Sequence, residues 1–362
     1  MSEPITSGST STELLSNHTT FHLGGPAAEF VTATTEPEIV EAVTAADDAG
    51  KDALVLGGGS NLIVADAGFP GIVVKLASTG VAAETVEGGV GVTVAAGETW
   101  DDFVMTAVDK GWSGVEALSG IPGSVGATPI QNVGAYGQDV SQTIESVKVF
   151  DRKLRELRTF AAEECQFGYR WSRFKADLLA ESPNQSSSGR YVVLEVTFRL
   201  GTDGDLGSPI AYAQLAGALG VEQGTRVPSK QIREAVLALR SSKGMVIEEA
   251  DHDTWSAGSF FTNPVVAPED VPEGAPAYPQ PDGTVKTSAA WLIDHAGFKK
   301  GHAPEALAGR VSLSTKHTLA LTNRGQGTTE DLLALAREIR DGVEAAYGIV
   351  LVNEPVMLGV EL

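Results

Sequence analysis

The chain has 362 residues and carries 26 Lys plus Arg against 47 Asp plus Glu, which gives it a formal net charge of −21. This length predicts two or three domains at roughly 100 to 200 residues each, and the acidic balance excludes wholesale binding of nucleic acid or anionic lipid, which depends on clustered Lys and Arg. The single cysteine, Cys165, excludes an intrachain disulfide and a thiolate zinc site, and no run approaches the roughly 20 apolar residues that would span a membrane.

Residues 1–17 are rich in Ser and Thr and lack the basic and apolar regions of a signal peptide. We therefore predict a flexible N-terminal tail on a cytoplasmic protein. The next elements, in chain order, are a strand at 30–34, a helix from Thr35 to about Gly50, strands at 53–56 and 71–76, a helix at 98–110, and strands at 146–150 and 191–200. This mixture of helices and strands predicts a first domain of the α+β class.

A change of composition at Gly201–Pro209, a segment rich in Gly and Asp, indicates a domain boundary. We accordingly divide the folded chain into 18–201 and 202–362. The second part predicts, in chain order, a helix from near Ser229, a Pro-rich loop at 264–281, a helix that opens with a capping box at Thr328–Asp331 and ends at Gly348, and closing strands at 349–352 and 356–360.

The first glycine-rich loop, Gly57-Gly58-Gly59-Ser60-Asn61-Leu62, directly follows a predicted strand. It has neither the glycine spacing and following helix of a Rossmann fingerprint nor the Gly-Lys-Ser/Thr of a Walker loop. Taken alone, a tight turn and a ligand site are equally good interpretations of it.

A second glycine-rich segment covers Leu118–Ala127 and continues through Gln131–Gly137. Two such loops in one domain can surround a pyrophosphate with backbone N–H groups and need no cationic side chain. The pair therefore favours a bound dinucleotide, even in a strongly acidic protein.

The two loops together resemble the FAD-binding domain of the vanillyl-alcohol-oxidase superfamily. The rest of the chain resembles the bacterial UDP-N-acetylenolpyruvoylglucosamine reductase family, in the segments Thr20–Gly25, Phe167–Lys175, Ala257–Pro264, Ala289–Asp294 and Asn353–Pro355. These segments occur in the family's order and cover nearly everything after about residue 18. The resemblance implies an α+β protein with a vanillyl-alcohol-oxidase-type FAD-binding domain and a C-terminal α+β substrate-binding domain.

The resemblance also implies the ligands: non-covalent FAD, NADPH as hydride donor, and the enolpyruvyl ether of UDP-N-acetylglucosamine, which is reduced to UDP-N-acetylmuramate for peptidoglycan synthesis. The implied FAD contacts are Gly57, Gly58, Gly59, Ser60, Asn61, Leu62, Ser119, Gly120, Ile121, Pro122, Gly123, Ser124, Gly126, Ala127, Asn132, Gly134, Tyr136 and Val193. We expect a monomer that binds no nucleic acid, does not insert into a membrane and holds no metal ion.

Three residues match the family's catalytic positions. Arg170 would hold the substrate carboxylate, although without the resemblance an ordinary ion-pair arginine is the favoured interpretation. Ser259 would donate the proton that follows hydride addition; without the resemblance it is a turn or cap serine. Glu354 lies between apolar strand halves, where an unpaired carboxylate is costly. With Arg170 it would stabilise the enediolate, so we expect the last strand to return to the flavin site.

Five further residues are implied as substrate contacts. Lys243 would bind the anionic ligand, although a cation at a helix C-terminus is also simply favourable to the helix dipole. Tyr212 matches a mobile tyrosine that caps the substrate in one branch of the family, and packing is the alternative. Lys286, Asn263 and Tyr278 are implied contacts of the sugar nucleotide.

Two other functions stay open at this point. A sugar or alcohol oxidase on the same scaffold would often tether its flavin through His or Cys. This chain has no His between His22 and His252, and Cys165 lies outside both glycine-rich loops. A non-enzymatic acidic binding module is the other alternative, and it would bind no flavin.

Overall fold

The computed structural model describes residues 13–181 and 188–362. Within these ranges the α-helices are α1 (Glu36–Asp48), α2 (Trp100–Asp109), α3 (Thr128–Gln131), α4 (Arg173–Glu181), α5 (Ala213–Leu219), α6 (Ser229–Ser241), α7 (Ala289–His295) and α8 (Thr329–Tyr347). The strands are β1 (Ala27–Ala33), β2 (Ala53–Leu56), β3 (Leu62–Val64), β4 (Phe69–Leu76), β5 (Val81–Val86), β6 (Gly89–Ala95), β7 (Gly134–Ala135), β8 (Gln138–Asp139), β9 (Ile144–Asp151), β10 (Glu156–Ala161), β11 (Tyr191–Leu200), β12 (Val265–Val266), β13 (Ala277–Pro279), β14 (Val285–Thr287), β15 (Val311–Leu313), β16 (Leu321–Asn323) and β17 (Val356–Leu358).

The N-terminal part begins with a small parallel sheet in the order β1-β4-β2. Helix α1 starts where the sequence predicted, because Thr35 caps the Glu38 amide and the Glu38 side chain returns to the cap backbone. Its residues Ile39, Val43 and Ala46 are fully buried. The sheet matters for the site because β2 leads directly into the first glycine-rich loop.

A five-stranded antiparallel sheet in the order β10-β9-β11-β6-β5 forms the main body of this part. Its central strand β11 has the predicted bounds, and Val196 lies opposite Val147 on one side and Val94 on the other. The hairpin of β5 and β6 was missed by the sequence analysis. Most of β5 is exposed at the sheet edge, so it lacks the alternation that identifies a strand.

The C-terminal part is built around α8, which has the predicted capping box and buries Leu332, Leu335, Ile339 and Val343. These side chains pack with Phe260 and Phe261 and with α7. Two predictions were wrong here. The segment 264–281 is not entirely loop, since it contains β12 and β13, and 349–352 is not a strand. In the segment Ile349–Val352, the Val352 carbonyl accepts a hydrogen bond from the Thr262 amide, but the segment forms no regular strand pairing.

Several contacts cross the predicted boundary at residue 201. Helix α6 packs on the 3-10 helix Glu116–Leu118, and Arg233 donates to both carboxylate oxygens of Asp101 at 2.6 and 2.8 Å. Strand β17 pairs in parallel with β3, so the end of the chain lies beside the first glycine-rich loop. The division into 18–201 and 202–362 stays a prediction.

The predicted tail lies mostly outside the described residues, which begin at residue 13. Leu15 is fully buried in a 3-10 helix, Leu15–His18, and packs with Leu54 and Phe69. The folded chain therefore starts before residue 18, earlier than the sequence predicted. In the described part of the chain, every helix is too short or too polar to cross a bilayer.

Candidate active site

The first glycine-rich loop leaves β2 at Leu56 and turns sharply. Gly59 has a φ of +61°, and a Cβ there would collide with the carbonyl oxygen of His18. The Lys75 ammonium group donates to the Gly57 carbonyl oxygen, and burial lowers the pKa of Lys75. The Ser60 hydroxyl donates to the Pro122 carbonyl at 3.0 Å, which ties this loop to the second one.

The two loops approach each other backbone to backbone. A Cβ on Gly58 would lie 2.5 Å from Cα of Gly123, which is closer than real Cβ contacts allow. Glycine is therefore required at this crossing for steric reasons. The contact brings the two glycine-rich loops together.

A cavity opens between these loops and the five-stranded sheet. Among the predicted FAD contacts, those that line it are Gly57, Gly58, Gly59, Ser60, Asn61, Leu62, Ser124, Gly126, Ala127 and Val193. Ser124 Oγ is buried and has no hydrogen-bond partner within the described ranges. An orphaned hydroxyl among backbone amides suits a phosphate oxygen, and the apolar walls at Leu54, Leu76 and Phe174 suit a flat ring. These residues fit FAD.

Some predicted FAD contacts hold the loops instead of lining that cavity. The Ser119 hydroxyl donates to the Glu116 carbonyl at 2.7 Å, and the Gly120 amide donates to Asp101 Oδ1 at 2.6 Å. Asn132 donates from its side chain to the Gly168 carbonyl at 2.9 Å. Gly123 supplies the crossing with Gly58. They stay predicted FAD contacts.

A second cavity meets the first at Ser60, Asn61 and Gln131. Its lining includes all three catalytic candidates, Arg170, Ser259 and Glu354, together with the predicted residues Ile121, Pro122, Gly134, Tyr136, Tyr212 and Lys243. Residues far apart in the sequence therefore share one cavity, and that cavity adjoins the glycine-lined one.

Arg170 and Glu354 form an ion pair in this cavity, with Arg170 Nε 3.0 Å from Glu354 Oε1. Their side chains are 27% and 17% exposed. The contact is ionic and not a hydrogen bond, because the Nε–H direction is unsuitable and Nε has no hydrogen-bond partner in the described structure. Arg170 Nη2 donates to the Gly134 carbonyl at 3.0 Å. The backbone of Arg170 is left-handed, with a φ of +51°, which is unusual for a residue with a Cβ.

Glu354 is placed by backbone bonds to both parts of the chain. Its amide donates to the Phe260 carbonyl at 2.8 Å, which brings it beside Ser259. Two residues later, the Val356 amide donates to the Asn61 carbonyl at 2.9 Å. The start of β17 therefore joins the serine segment to the first glycine-rich loop.

Tyr212 and Lys243 lie together at another wall of the same cavity. Lys243 Nζ donates to Gln214 Oε1 at 2.9 Å and lies 5.5 Å from the ring centroid of Tyr136. The Tyr136 and Tyr212 rings meet edge to face at 5.9 Å. Burial lowers the pKa of Lys243, and the neighbouring Arg240 and Lys300 lower it further.

Two cavity residues, Arg240 and His317, were missed by the sequence analysis. Arg240 is 8% exposed, and burial lowers its pKa to about 10. Burial, assisted by Lys243, Lys300 and Arg240, lowers the pKa of His317 to about 4. His317 Nδ1 accepts the Leu319 amide at 3.1 Å, so the neutral ring carries its proton on Nε2. The three-residue spacing of Arg240 and Lys243 at the end of a helix could have predicted a pair of cations on one face, whereas no local motif indicates His317.

Asn263, Tyr278 and Lys286 are not brought into this cavity. Lys286 Nζ lies 4.3 Å from the ring centroid of Tyr169, and Tyr278 is the cross-strand neighbour of Lys286. Asn263 Oδ1 accepts the Ala289 amide at 3.0 Å at the start of α7. Of the three, Asn263 lines a separate groove that also includes Tyr169 and Arg170. Contact of all three with substrate stays a prediction.

Two family models match this chain. The model described as "FAD binding domain" matches residues 27–158, and the one described as "UDP-N-acetylenolpyruvoylglucosamine reductase, C-terminal domain" matches residues 249–358. The fold, the glycine-lined cavity and these matches define a protein with an FAD-binding domain joined to a second α+β part.

Whole-chain relatives extend this result. Proteins named UDP-N-acetylenolpyruvoylglucosamine reductase are similar to this chain: one from Streptomyces avermitilis is 54% identical over 357 residues, covering 95% of this chain and 93% of the relative. One from Cutibacterium acnes is 56% identical over 346 residues, covering 94% and 88%. The crystal structure of the Thermus caldophilus reductase covers 96% of this chain and 98% of its own, with a TM-score of 0.63 and 26% identity. The chain belongs to the UDP-N-acetylenolpyruvoylglucosamine reductase family, and the predicted resemblance and fold class are confirmed.

Proposed function

We propose that this protein reduces the enolpyruvyl ether of UDP-N-acetylglucosamine to UDP-N-acetylmuramate for peptidoglycan synthesis, with FAD as its cofactor and NADPH as the hydride donor. The observation that carries the proposal is the junction of the two cavities. The cavity lined by Arg170, Ser259 and Glu354 opens onto the glycine-lined cavity at Ser60, Asn61 and Gln131. A carboxylate-bearing substrate in the first would lie next to a cofactor in the second.

FAD, when bound, supplies hydride transfer between the nicotinamide and the substrate carbon. The residues that would hold it are those of the Gly57–Leu62 loop and of Ser124–Ala127, with the Ser124 hydroxyl as a donor to a phosphate oxygen. We propose that the binding is non-covalent. In support of this, the described residues that line the glycine-rich cavity include no histidine and no cysteine.

Arg170 would bind the substrate carboxylate and stabilise the negative charge that develops beside it. Hydride addition to the terminal carbon of the enol moves the electron pair of the double bond toward the carbon that bears the carboxylate. A fixed guanidinium stabilises this enediolate more than water would, because it needs no reorganisation. Glu354, with its Oε1 3.0 Å from Nε, keeps the guanidinium turned into the cavity.

Ser259 would complete the reaction by donating its hydroxyl proton to the carbon beside the carboxylate, which gives the lactyl ether. The backbone bond from the Glu354 amide to the Phe260 carbonyl supports this role, because it ties Glu354 to the residue that follows Ser259, and both side chains line the same cavity. General acid catalysis of this type contributes roughly 10²- to 10⁴-fold.

Tyr212 and Lys243 would bind the anionic nucleotide end of the substrate, since the cavity lining near them carries the two cations Arg240 and Lys243. Asn263, Tyr278 and Lys286 remain proposed contacts on the strength of the resemblance. The monomeric state and the cytoplasmic location stay predictions from the sequence.

The test is to incubate the purified holoprotein with NADPH and the enolpyruvyl nucleotide and to identify the product by mass spectrometry. We expect a product heavier by two hydrogens, with one NADPH consumed per product. Parallel reactions with NADH test the preference for the donor. Oxygen consumption without the lactyl product would contradict the proposal and favour an oxidase.

A further inference from the structure

Lys175 is a partly buried cation beside the catalytic pair, and the mechanism above does not use it. It lies in the first turn of α4, where its amide is close to Ser172 Oγ at 3.2 Å. Ser172 is fully buried and donates its hydroxyl to the Ile130 carbonyl at 2.7 Å. The backbone of Lys175 is therefore anchored to the segment that ends in Gln131.

The ammonium group of Lys175 makes two hydrogen bonds toward the site. Nζ donates to Gln131 Oε1 at 3.0 Å and to the Arg170 carbonyl at 3.1 Å. An ammonium group can face only the oxygen of an amide, so it turns the Gln131 nitrogen the other way. That nitrogen lies 3.5 Å from the Glu354 carbonyl oxygen.

These contacts connect in a closed circuit. Lys175 holds the carbonyl of Arg170 and the amide of Gln131, Gln131 approaches Glu354, and Glu354 contacts the Arg170 guanidinium at 3.0 Å. Arg170 also has the left-handed backbone, with a φ of +51°. Such a conformation persists only where the surroundings fix it, and the bond from Lys175 to the Arg170 carbonyl does so directly.

The position is electrostatically unfavourable for a lysine. Burial lowers the pKa of Lys175; Glu354 opposes that effect and Arg170 adds to it. A partly buried lysine beside a second cation, Arg170, does not by itself stabilise the folded protein. Its bonds instead determine the directions of the groups around it.

We propose that Lys175 is a positioning residue for the reaction: by holding the Arg170 carbonyl and the Gln131 amide, it fixes the Arg170–Glu354 pair in the orientation that receives the substrate carboxylate. This inference rests on the proposed function. Lys175 acts through Arg170 and Glu354 and does not itself contact the reacting atoms.

The experiment compares the holoenzyme with the variants Lys175→Met and Lys175→Arg. Lys175→Met keeps most of the length of the side chain and removes both donated bonds, whereas Lys175→Arg keeps a charged donor. Lys148→Met is the matched control. Lys148 is also a partly buried lysine, but it pairs with Glu36 and Glu195 at 2.6 and 3.3 Å, away from the cavity.

Three measurements are made on each protein: flavin reduction by NADPH, flavin reoxidation by the enolpyruvyl nucleotide under anaerobic conditions, and calorimetric binding of the product carboxylate to the oxidised enzyme. We expect Lys175→Met to slow reoxidation and to weaken product binding by roughly 10- to 100-fold, because a misplacement of about 1 Å can have that effect. Flavin reduction should be unchanged. Lys175→Arg should recover most of the loss, and Lys148→Met should behave as wild type.

Wild-type reoxidation and product binding in Lys175→Met would overturn the inference. Equal losses in both half-reactions together with release of FAD, and no recovery in Lys175→Arg, would also overturn it, because that pattern indicates a structural role only. If the wild-type protein itself does not reduce the substrate, the proposed function fails. The NMR signal of Arg170 Nε–H then decides the positioning role: a shift in Lys175→Met that Lys175→Arg reverses supports it, and an unchanged signal contradicts it.

Discussion

The glycine-lined cavity and the cavity that holds Arg170, Ser259 and Glu354 recognise their ligands by different means. The first is lined by two short loops rich in glycine and small side chains, together with apolar side chains such as Leu54, Leu76 and Phe174. The second brings together charged and hydroxyl side chains from residues 170, 259 and 354. A backbone-built site depends on close approach of the main chain, whereas a side-chain-built site depends on tertiary contacts that orient each group. Substitutions in the two cavities should therefore fail in different ways.

The largest effect is expected in the side-chain-built cavity. Ser259→Ala removes the proposed proton donor, so flavin reoxidation by the enolpyruvyl nucleotide should slow by at least roughly 10²- to 10⁴-fold. Flavin reduction by NADPH should be unaffected, since it needs no proton from Ser259. Rapid mixing separates the two half-reactions, and equal loss in both, or in neither, would remove Ser259 from this role.

The next effect tests the backbone-built cavity. Gly58→Ala places a Cβ 2.5 Å from Gly123 Cα, so the loops must separate and FAD should bind more weakly. Overpacking of this kind costs roughly 1 to 3 kcal/mol, or about 5- to 150-fold in the dissociation constant. Gly217→Ala is the control, because a Cβ there meets nothing within 4 Å. Titration of the apoproteins with FAD measures both, and equal affinities would show that the crossing tolerates a side chain.

A comparison of two lysines tests how far the substrate extends beyond the cavity that holds Arg170, Ser259 and Glu354, which is called the substrate cavity below. Lys243 lines it, whereas Lys286 lies against Tyr169 outside it. Lys243→Met should raise KM for the enolpyruvyl nucleotide by roughly 10- to 100-fold, as expected for loss of a charged hydrogen bond, while Lys286→Met should change it much less. Steady-state kinetics decides this, and a larger effect at Lys286 would mean that the substrate extends into the Tyr169 groove.

The smallest effect concerns how the folding stability of the protein depends on pH through His317, which lines the substrate cavity. The folded protein keeps the pKa of His317 at about 4, against an ordinary value near 6.5. Below pH 6.5 the unfolded chain therefore binds a proton that the folded protein does not, so stability falls as the pH drops toward 4. Between pH 6.5 and 5 the loss should be about 1 to 2 kcal/mol. Thermal unfolding of wild type and His317→Gln should show the wild type losing stability faster, and parallel curves would contradict this.

The sequence was most informative where structure is local. The helix that starts at Thr35, the one that starts at Thr328 and strand β11 were predicted because helix-start residues, apolar periodicity and strand alternation act over a few residues. The glycine-rich loops were identifiable for the same reason. The edge strand β5 was missed, because its exposed side chains carry no periodic signal.

The substrate cavity could be predicted only through the resemblance. No local pattern connects Arg170 to Glu354, since their contact depends on β17 pairing with β3 and on the Glu354 amide bonding to Phe260. Lys175 and His317 were missed for a related reason. Their significance lies in which groups surround them, and that depends on segments distant in sequence.

The most direct test of the central claim is a single turnover of the reduced holoprotein with the enolpyruvyl nucleotide in the absence of oxygen, followed through the flavin absorbance. The junction of the two cavities predicts that the absorbance of oxidised flavin returns as the lactyl ether forms, with one flavin reoxidised per product. A flavin that stays reduced until oxygen is admitted would contradict the assignment.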